Sequence, residues 1–164
     1  MPNWTENHLV AEGDKDELTR FLDTIGTKKN KLDFDKIIPM PAILRRTVSG
    51  ARTISNVSVS TWMESDDGKG RLPTPEEAAE LAQTGYENWY DWSCDNWGVK
   101  WSANDVKLDD SRDYGGYVEL TFKTPWNAPK PIFHKLREMF PLLEFRFEWR
   151  HEDDNPYPHN LDEE

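Results

Sequence analysis

The side chains able to do chemistry are few and scattered. There are four histidines, His8, His134, His151 and His159, and one cysteine, Cys94. None of the histidines has a His, Cys, Asp or Glu partner at the helical spacing of a metal-ligand pair in a convincing setting. His151 precedes Glu152, Asp153 and Asp154, which offers at most weak cation binding and reads as a solvated charge run. No cation flanks Cys94 to hold a thiolate, so it reads as a packed, inert thiol. The sequence lacks a phosphate loop, a dinucleotide fingerprint, a GxSxG elbow, an HExxH helix and a CxxC pair. Glu148 or Asp91, together with Lys100, would be the acids and the cation of an unrecognised active site. Such a site needs paired carboxylates in a pocket, which the sequence does not place. The expectation is a protein with no catalytic residue, no metal and no cofactor.

The most unusual stretch runs Trp89-Tyr90-Asp91-Trp92-Ser93-Cys94-Asp95-Asn96-Trp97-Gly98-Val99-Lys100-Trp101. Its tryptophans cannot all point one way. One reading is a corner plug, with rings filling a helix–sheet junction and Asn96 satisfying backbone groups at the helix end. The other is an aromatic pocket in which Lys100 or an acid supplies a polar contact to a ligand. Trp4, Trp62 and Trp126 could join either arrangement. The candidate interaction residues are therefore Trp89, Trp92, Asn96, Trp97, Lys100, Trp101 and Trp126.

The elements that must position them follow from periodicity. Residues 7–13 read as a strand. Asp14 caps a helix, Glu17 stands three positions on as in a capping box, and Leu18, Phe21, Leu22 and Ile25 share one face. Gly26 falls where a left-handed helix end is expected. Residues 27–73 read as an irregular excursion with Pro39 and Pro41 inside it. Thr74-Pro75-Glu76-Glu77 starts a second helix, read as continuous to Gly98. Strands at about 99–108 and 117–123 form a hairpin, a third helix covers about 131–140, and Leu143, Phe145, Phe147 and Trp149 alternate with charges in a last strand. Setting the excursion and its helix aside leaves βαββαβ. That is an α+β, ferredoxin-like (split βαβ) antiparallel sheet with helices on one face and an irregular insertion after the first helix. One domain over 1–150 is expected, with residues 151–164 as an acidic mobile tail.

The chain has 164 residues, 31 acids against 20 bases and a net charge of -11. That balance argues against binding nucleic acid or an anionic membrane surface, both of which need clustered Lys and Arg. No apolar run is long enough for a membrane span, and the start Met1-Pro2-Asn3-Trp4-Thr5-Glu6 does not read as a signal peptide. A single cysteine suits a reducing cytoplasm. Hydrophobic residues are only 36%, so the aromatics at 12% must carry the core.

Four separated motifs carry a resemblance. They are Met1-Pro2-Asn3-Trp4-x-x-Asn7; Leu32-Asp33-Phe34 with Ile37-Ile38-Pro39-Met40-Pro41; Trp92-x-Cys94-x-Asn96-Trp97-Gly98-x-Lys100-Trp101; and Phe122-x-Thr124-x-Trp126-x-x-Pro129. Together they resemble the Api92-like (YubB-like) family of phage and plasmid proteins. The resemblance implies a ferredoxin-like domain, a mobile-element origin and a bacterial cytoplasm, and it implies no catalytic residue. Three functions compete: a non-enzymatic protein that binds a host or element-encoded protein, an anti-defence inhibitor that mimics DNA through its acids, and an enzyme with an unrecognised site. The first is the expected one.

Overall fold

The computed structural model describes residues 2–50, 52–54, 56–59, 61–154 and 158–163. The elements are β1 (Trp4–Glu12), α1 (Lys15–Ile25), a 3-10 turn (Phe34–Lys36), α2 (Ala42–Arg45), β2 (Thr47–Val48), β3 (Arg52–Ile54), β4 (Val57–Val59), β5 (Trp62–Met63), α3 (Pro75–Thr84), α4 (Trp89–Trp97), β6 (Asn104–Ser111), β7 (Tyr117–Pro125), α5 (Lys130–Met139), β8 (Glu144–His151), β9 (His159–Asn160) and a closing 3-10 turn (Leu161–Glu163). They fall into two compact units, Met1–Pro39 with Asn96–Glu164, and Met40–Asp95. The inserted unit thus begins at Met40 rather than at residue 27. Residues 27–39 belong with the sheet because Leu32, Phe34 and Ile37 are buried and the Phe34 N–H donates to Ser102 Oγ at 3.0 Å.

The first unit is built on a sheet of order β6-β7-β1-β8-β9. Every neighbouring pair is antiparallel. The first strand lies between the strands that come third and fourth in the βαββαβ skeleton, and each crossover skips one strand. This is the split-βαβ arrangement expected from the order of the elements. Alternation then assigns the faces. Thr5, Asn7, Leu9 and Ala11 of β1 are buried, as are Val118, Leu120 and Phe122 of β7 and Phe147 and Trp149 of β8. Leu18, Phe21 and Ile25 from α1 and Ile132, Phe133 and Leu136 from α5 complete this core.

The core rings touch in series. Trp97 meets Phe34 at 6.0 Å, Phe34 meets Phe122 at 6.1 Å, and Phe122 meets Phe133 at 6.4 Å. Phe133 stacks on Phe147 at 4.4 Å, Phe147 on Phe145 at 5.3 Å, and Phe21 packs edge-on to both Phe145 and Phe140. Each such pair adds roughly 0.5–1.5 kcal/mol to its area burial.

Three local expectations are corrected. Asp14 does cap α1, but its side chain accepts from the Asp16 N–H, and Glu17 pairs with Arg20 instead of closing a box. Gly26 is extended, at φ −161° and ψ −168°, not left-handed. Glycine is needed there for room, because a Cβ would lie 2.3 Å from the Lys31 carbonyl oxygen. The helix read from 74 to 98 is two helices. Gly85 takes the left-handed conformation at φ 76° and ends α3. Asn88 then restarts the chain: its Oδ1 accepts from the Asp91 N–H at 2.9 Å while its Nδ2 donates to the Asp91 carboxylate at 3.1 Å.

The segment after Arg150, expected to be a mobile tail, is structured where it is described. β8 continues to His151, β9 pairs His159 with Trp149 and Asn160 with Glu148, Leu161 is buried, and Arg137 holds Asp162 at 2.8 Å. Buried Leu161, edge pairing and the Arg137–Asp162 contact hold residues 159–162, where composition alone suggested solvation.

In the second unit β2 pairs with β5 and β3 with β4. Its electrostatic centre is Glu77 in the first turn of α3. The Thr74–Glu77 capping box is present. Arg71 grips the same carboxylate in a fork at 2.6 and 3.0 Å, and Arg46 reaches it at 2.5 Å. The Arg71 fork, then the Thr74 N–H, lowers the Glu77 pKa from 4.5 to about 2.

Two outcomes are expected. Gly26→Ala lowers stability by about 1–3 kcal/mol through the clash, read as a lower urea midpoint at constant slope; an unchanged midpoint would show that the Lys31 backbone yields freely. The stabilisation from Glu77, whose pKa is depressed in the folded state, is complete above pH 4.5 and disappears as the pH falls to about 2. Glu77→Gln therefore melts at a lower temperature than the wild type at pH 7, and the gap closes across that window.

Candidate functional site

The face of the sheet opposite the core carries half-exposed charged side chains. β1 presents Trp4, Glu6 and His8 there, β7 presents Glu119, Thr121 and Lys123, and β8 presents Arg146, Glu148 and Arg150. Register decides which of them meet. His8 lies between two carboxylates, with Nδ1 at 3.3 Å from Glu148 and Nε2 at 3.4 Å from Glu119. Arg146 approaches the other oxygen of Glu148 at 3.4 Å. Arg150 meets Glu6 at 2.5 Å, and Lys123 meets Asp105 at 3.5 Å. The result is a ladder of alternating charge across four strands, β6, β7, β1 and β8, in which cross-strand neighbours attract.

A shallow cavity of about 530 Å³ lies on this face, lined by Glu6, Asp105, Val106, Lys107, Thr121 and Lys123 among others. It sits where the register of β6 against β7 shifts between Asn104 and Lys107. Asp105 there has a positive φ of 50°. Such a bulge bends the edge strand and opens the recess.

The aromatic candidates separate. Trp92 and Trp97 are buried. Trp97 donates from Nε1 to the Ile38 carbonyl at 2.9 Å and belongs to the core of the first unit. Trp89 is half-buried, packs edge-on to Tyr90 at 5.9 Å, and donates its N–H to Thr47 Oγ1 within the second unit. Asn96 is half-buried. Trp101 is 36% exposed and Trp126 is 52% exposed. Trp101 leans on Trp4 at 6.5 Å, and the Lys100 ammonium lies 4.2 Å over the Trp101 ring. Trp126 holds a positive φ of 69°, and its N–H donates to the Asn3 carbonyl at 2.8 Å, beside Trp4. Trp4, Lys100, Trp101 and Trp126 therefore gather at the end of the sheet where β1 begins and β7 ends. Trp4 shares the charged face with Glu6 and His8. Burial thus divides the Trp-rich stretch, with Trp92 and Trp97 inside and Trp101 exposed.

The site also includes groupings the sequence did not single out. Glu6 and His8 lie more than a hundred residues from Glu119, Glu148 and Arg150 and meet them only through strand register. Each sits at an alternating strand position, and that alternation is the one signal that could have grouped them. A second group, His151, Asp154 and His159, converges at the β8–β9 edge. The His151 N–H, followed by the neighbouring His159, holds the Asp154 carboxyl below its ordinary range. No described helix is long and apolar enough to cross a membrane.

Residues 96–156 match the family model described as the ferredoxin-like domain in Api92-like protein. The resemblance carried by the sequence motifs is thereby borne out over that stretch. The matched segment starts where the first unit resumes, at Asn96, and holds β6, β7, α5 and β8. β1 and α1 complete the skeleton from before the insertion. No curated protein and no solved structure matches the chain.

Truncating the rings should separate core from surface. Trp97→Ala costs about 3–5 kcal/mol in urea unfolding. Trp101→Ala and Trp126→Ala each stay within about 0.5 kcal/mol of wild type. Comparable losses at all three positions would show that the end of the sheet is packed rather than open.

Proposed function

With the ferredoxin-like domain of Api92-like proteins as its premise, we propose that this chain is a non-enzymatic binding protein of phage or plasmid type. It works in the bacterial cytoplasm and engages a host or element-encoded protein through the open face of its sheet. The observation that carries this reading is the Trp4–Trp101 pair, capped by Lys100 and flanked by exposed Trp126, at the border of a charged strand face. Protein interfaces concentrate their energy in Trp, Tyr and Arg anchors that a partner desolvates, with a polar rim around them. The recess at the β6 bulge offers a seat for one partner side chain. The Glu6–Arg150 and Arg146–Glu148 pairs are partly solvated and can exchange partners at little cost.

The acidic runs favour this reading over imitation of DNA. Asp110 is held by Arg112 at 2.6 Å, and Asp113 pairs with Lys15. These acids carry their own counter-charges, whereas a phosphate mimic needs them uncompensated and evenly spaced.

The test is affinity capture from host lysate with the full chain, in parallel with a Trp101→Ala/Trp126→Ala double variant and a Lys107→Glu/Lys123→Glu double variant. The wild type is expected to retain a discrete protein that both variants lose at least about tenfold, with their unfolding midpoints unchanged. Retention indifferent to both variants, or no specific retention, would overturn the proposal.

A further inference from the structure

The sheet edge at β8 and β9 brings together two imidazoles and a carboxylate. His151 ends β8, His159 begins β9, and Asp154 comes from the turn between them. Each offers one ligand atom, and these atoms lie within 4.8 Å of one another. His159 Nε2 is 3.3 Å from Asp154 Oδ2, and the two imidazole centroids are 5.6 Å apart.

The rings are oriented from outside the cluster. A hydrogen bond of 3.0 Å joins His151 Nδ1 to the buried Thr5 hydroxyl of β1. The indole of Trp149 stacks on His159 at 6.0 Å and 18°. The Asp154 carboxylate accepts from the His151 N–H at 3.0 Å. Thr5 and Trp149 lie outside the cluster, and outer partners of this kind set the direction of metal-ligating imidazoles. A cleft of about 340 Å³, lined by His151, His159, Trp149, Lys130 and Asn127 among others, opens beside the two histidines and leaves room for water.

We infer that His151, Asp154 and His159 form a binding site for a divalent transition metal of the Zn²⁺ class that clasps β9 onto β8. Two nitrogens and one carboxylate oxygen suit Zn²⁺, with water from the cleft as a fourth ligand. Mg²⁺ and Ca²⁺ require sets of oxygen ligands and do not suit it. Closing three side chains from within 4.8 Å to the separations of a tetrahedral shell takes a small movement. Exposed Glu152 and Asp153 add negative potential around the entry. The ion would link the end of β8 to β9 and, through the Thr5–His151 bond, to β1, so its binding energy adds to the stability of the sheet edge.

The experiment uses the untagged full chain, titrated calorimetrically with ZnCl2 and melted with ZnCl2 or MgCl2. The variants are Asp154→Asn, His159→Gln and, as a control on exposed His134, His134→Gln. One Zn²⁺ per chain is expected, with a melting midpoint raised by Zn²⁺ and not by Mg²⁺. Affinity should fall at least about tenfold in Asp154→Asn and His159→Gln and stay unchanged in His134→Gln. Asp154 lies outside both strands, so Asp154→Asn reports on the metal even if His159→Gln loosens β9. Absence of Zn²⁺ binding, binding that survives both ligand substitutions, or an equal effect of Mg²⁺ would overturn the inference.

Discussion

The aromatic series from Trp97 through Phe34, Phe122, Phe133, Phe147, Phe145 and Phe21 to Phe140 is the interaction on which the first unit rests. With 36% hydrophobic residues the chain has few apolar side chains to bury, and ring-to-ring packing concentrates what it has. The series draws on α1, the 3-10 turn, α4, β7, α5 and β8, so each element is held by its contribution to one line of rings. Arg20 over Phe140 at 4.4 Å and Arg137 over Phe147 at 5.3 Å extend the line toward solvent. This packing fixes the strand order and, through it, which face of the sheet stays open.

Much of the skeleton was legible because period-2 and period-3.6 patterns were strong where burial is one-sided. Leu143 to Trp149 could only be a half-buried strand, and Leu18 to Ile25 only a half-buried helix. Legibility failed where a single residue overrides a pattern. Gly85 lies in helical register but takes a left-handed turn, and Asn88 supplies a new cap, so an apparent long helix is broken. The excursion was opaque because its strands are two or three residues long and pair only locally. The last segment was opaque for another reason: composition described its charge and gave no sign that Leu161 would be buried.

The site divides along the same line. The Trp-rich stretch could be found in the sequence, but whether each ring is buried depends on the turn at Gly98 and on Trp4, which comes from the other end of the chain. The charged ladder around His8 is a product of register. His8 is more than a hundred residues from both Glu119 and Glu148, and nothing local announces that it will stand between them. A reader of sequence sees alternation and must wait for strand order to see neighbours.

β1 is the central strand of the skeleton, paired on one side with β7 and on the other with β8, as in Thr5 opposite Thr124 and His151. During synthesis this first strand has no partner until about a hundred residues have followed it, and the inserted unit is made in between. Closing such long loops before any reward arrives slows folding and lengthens exposure of the nascent apolar edge. The described strand pairings of the inserted unit, β2 with β5 and β3 with β4, are short-range and need no residue outside it. Of the four skeleton strands β8 is translated last, and its Phe147 and Trp149 pair beside the strand that was translated first.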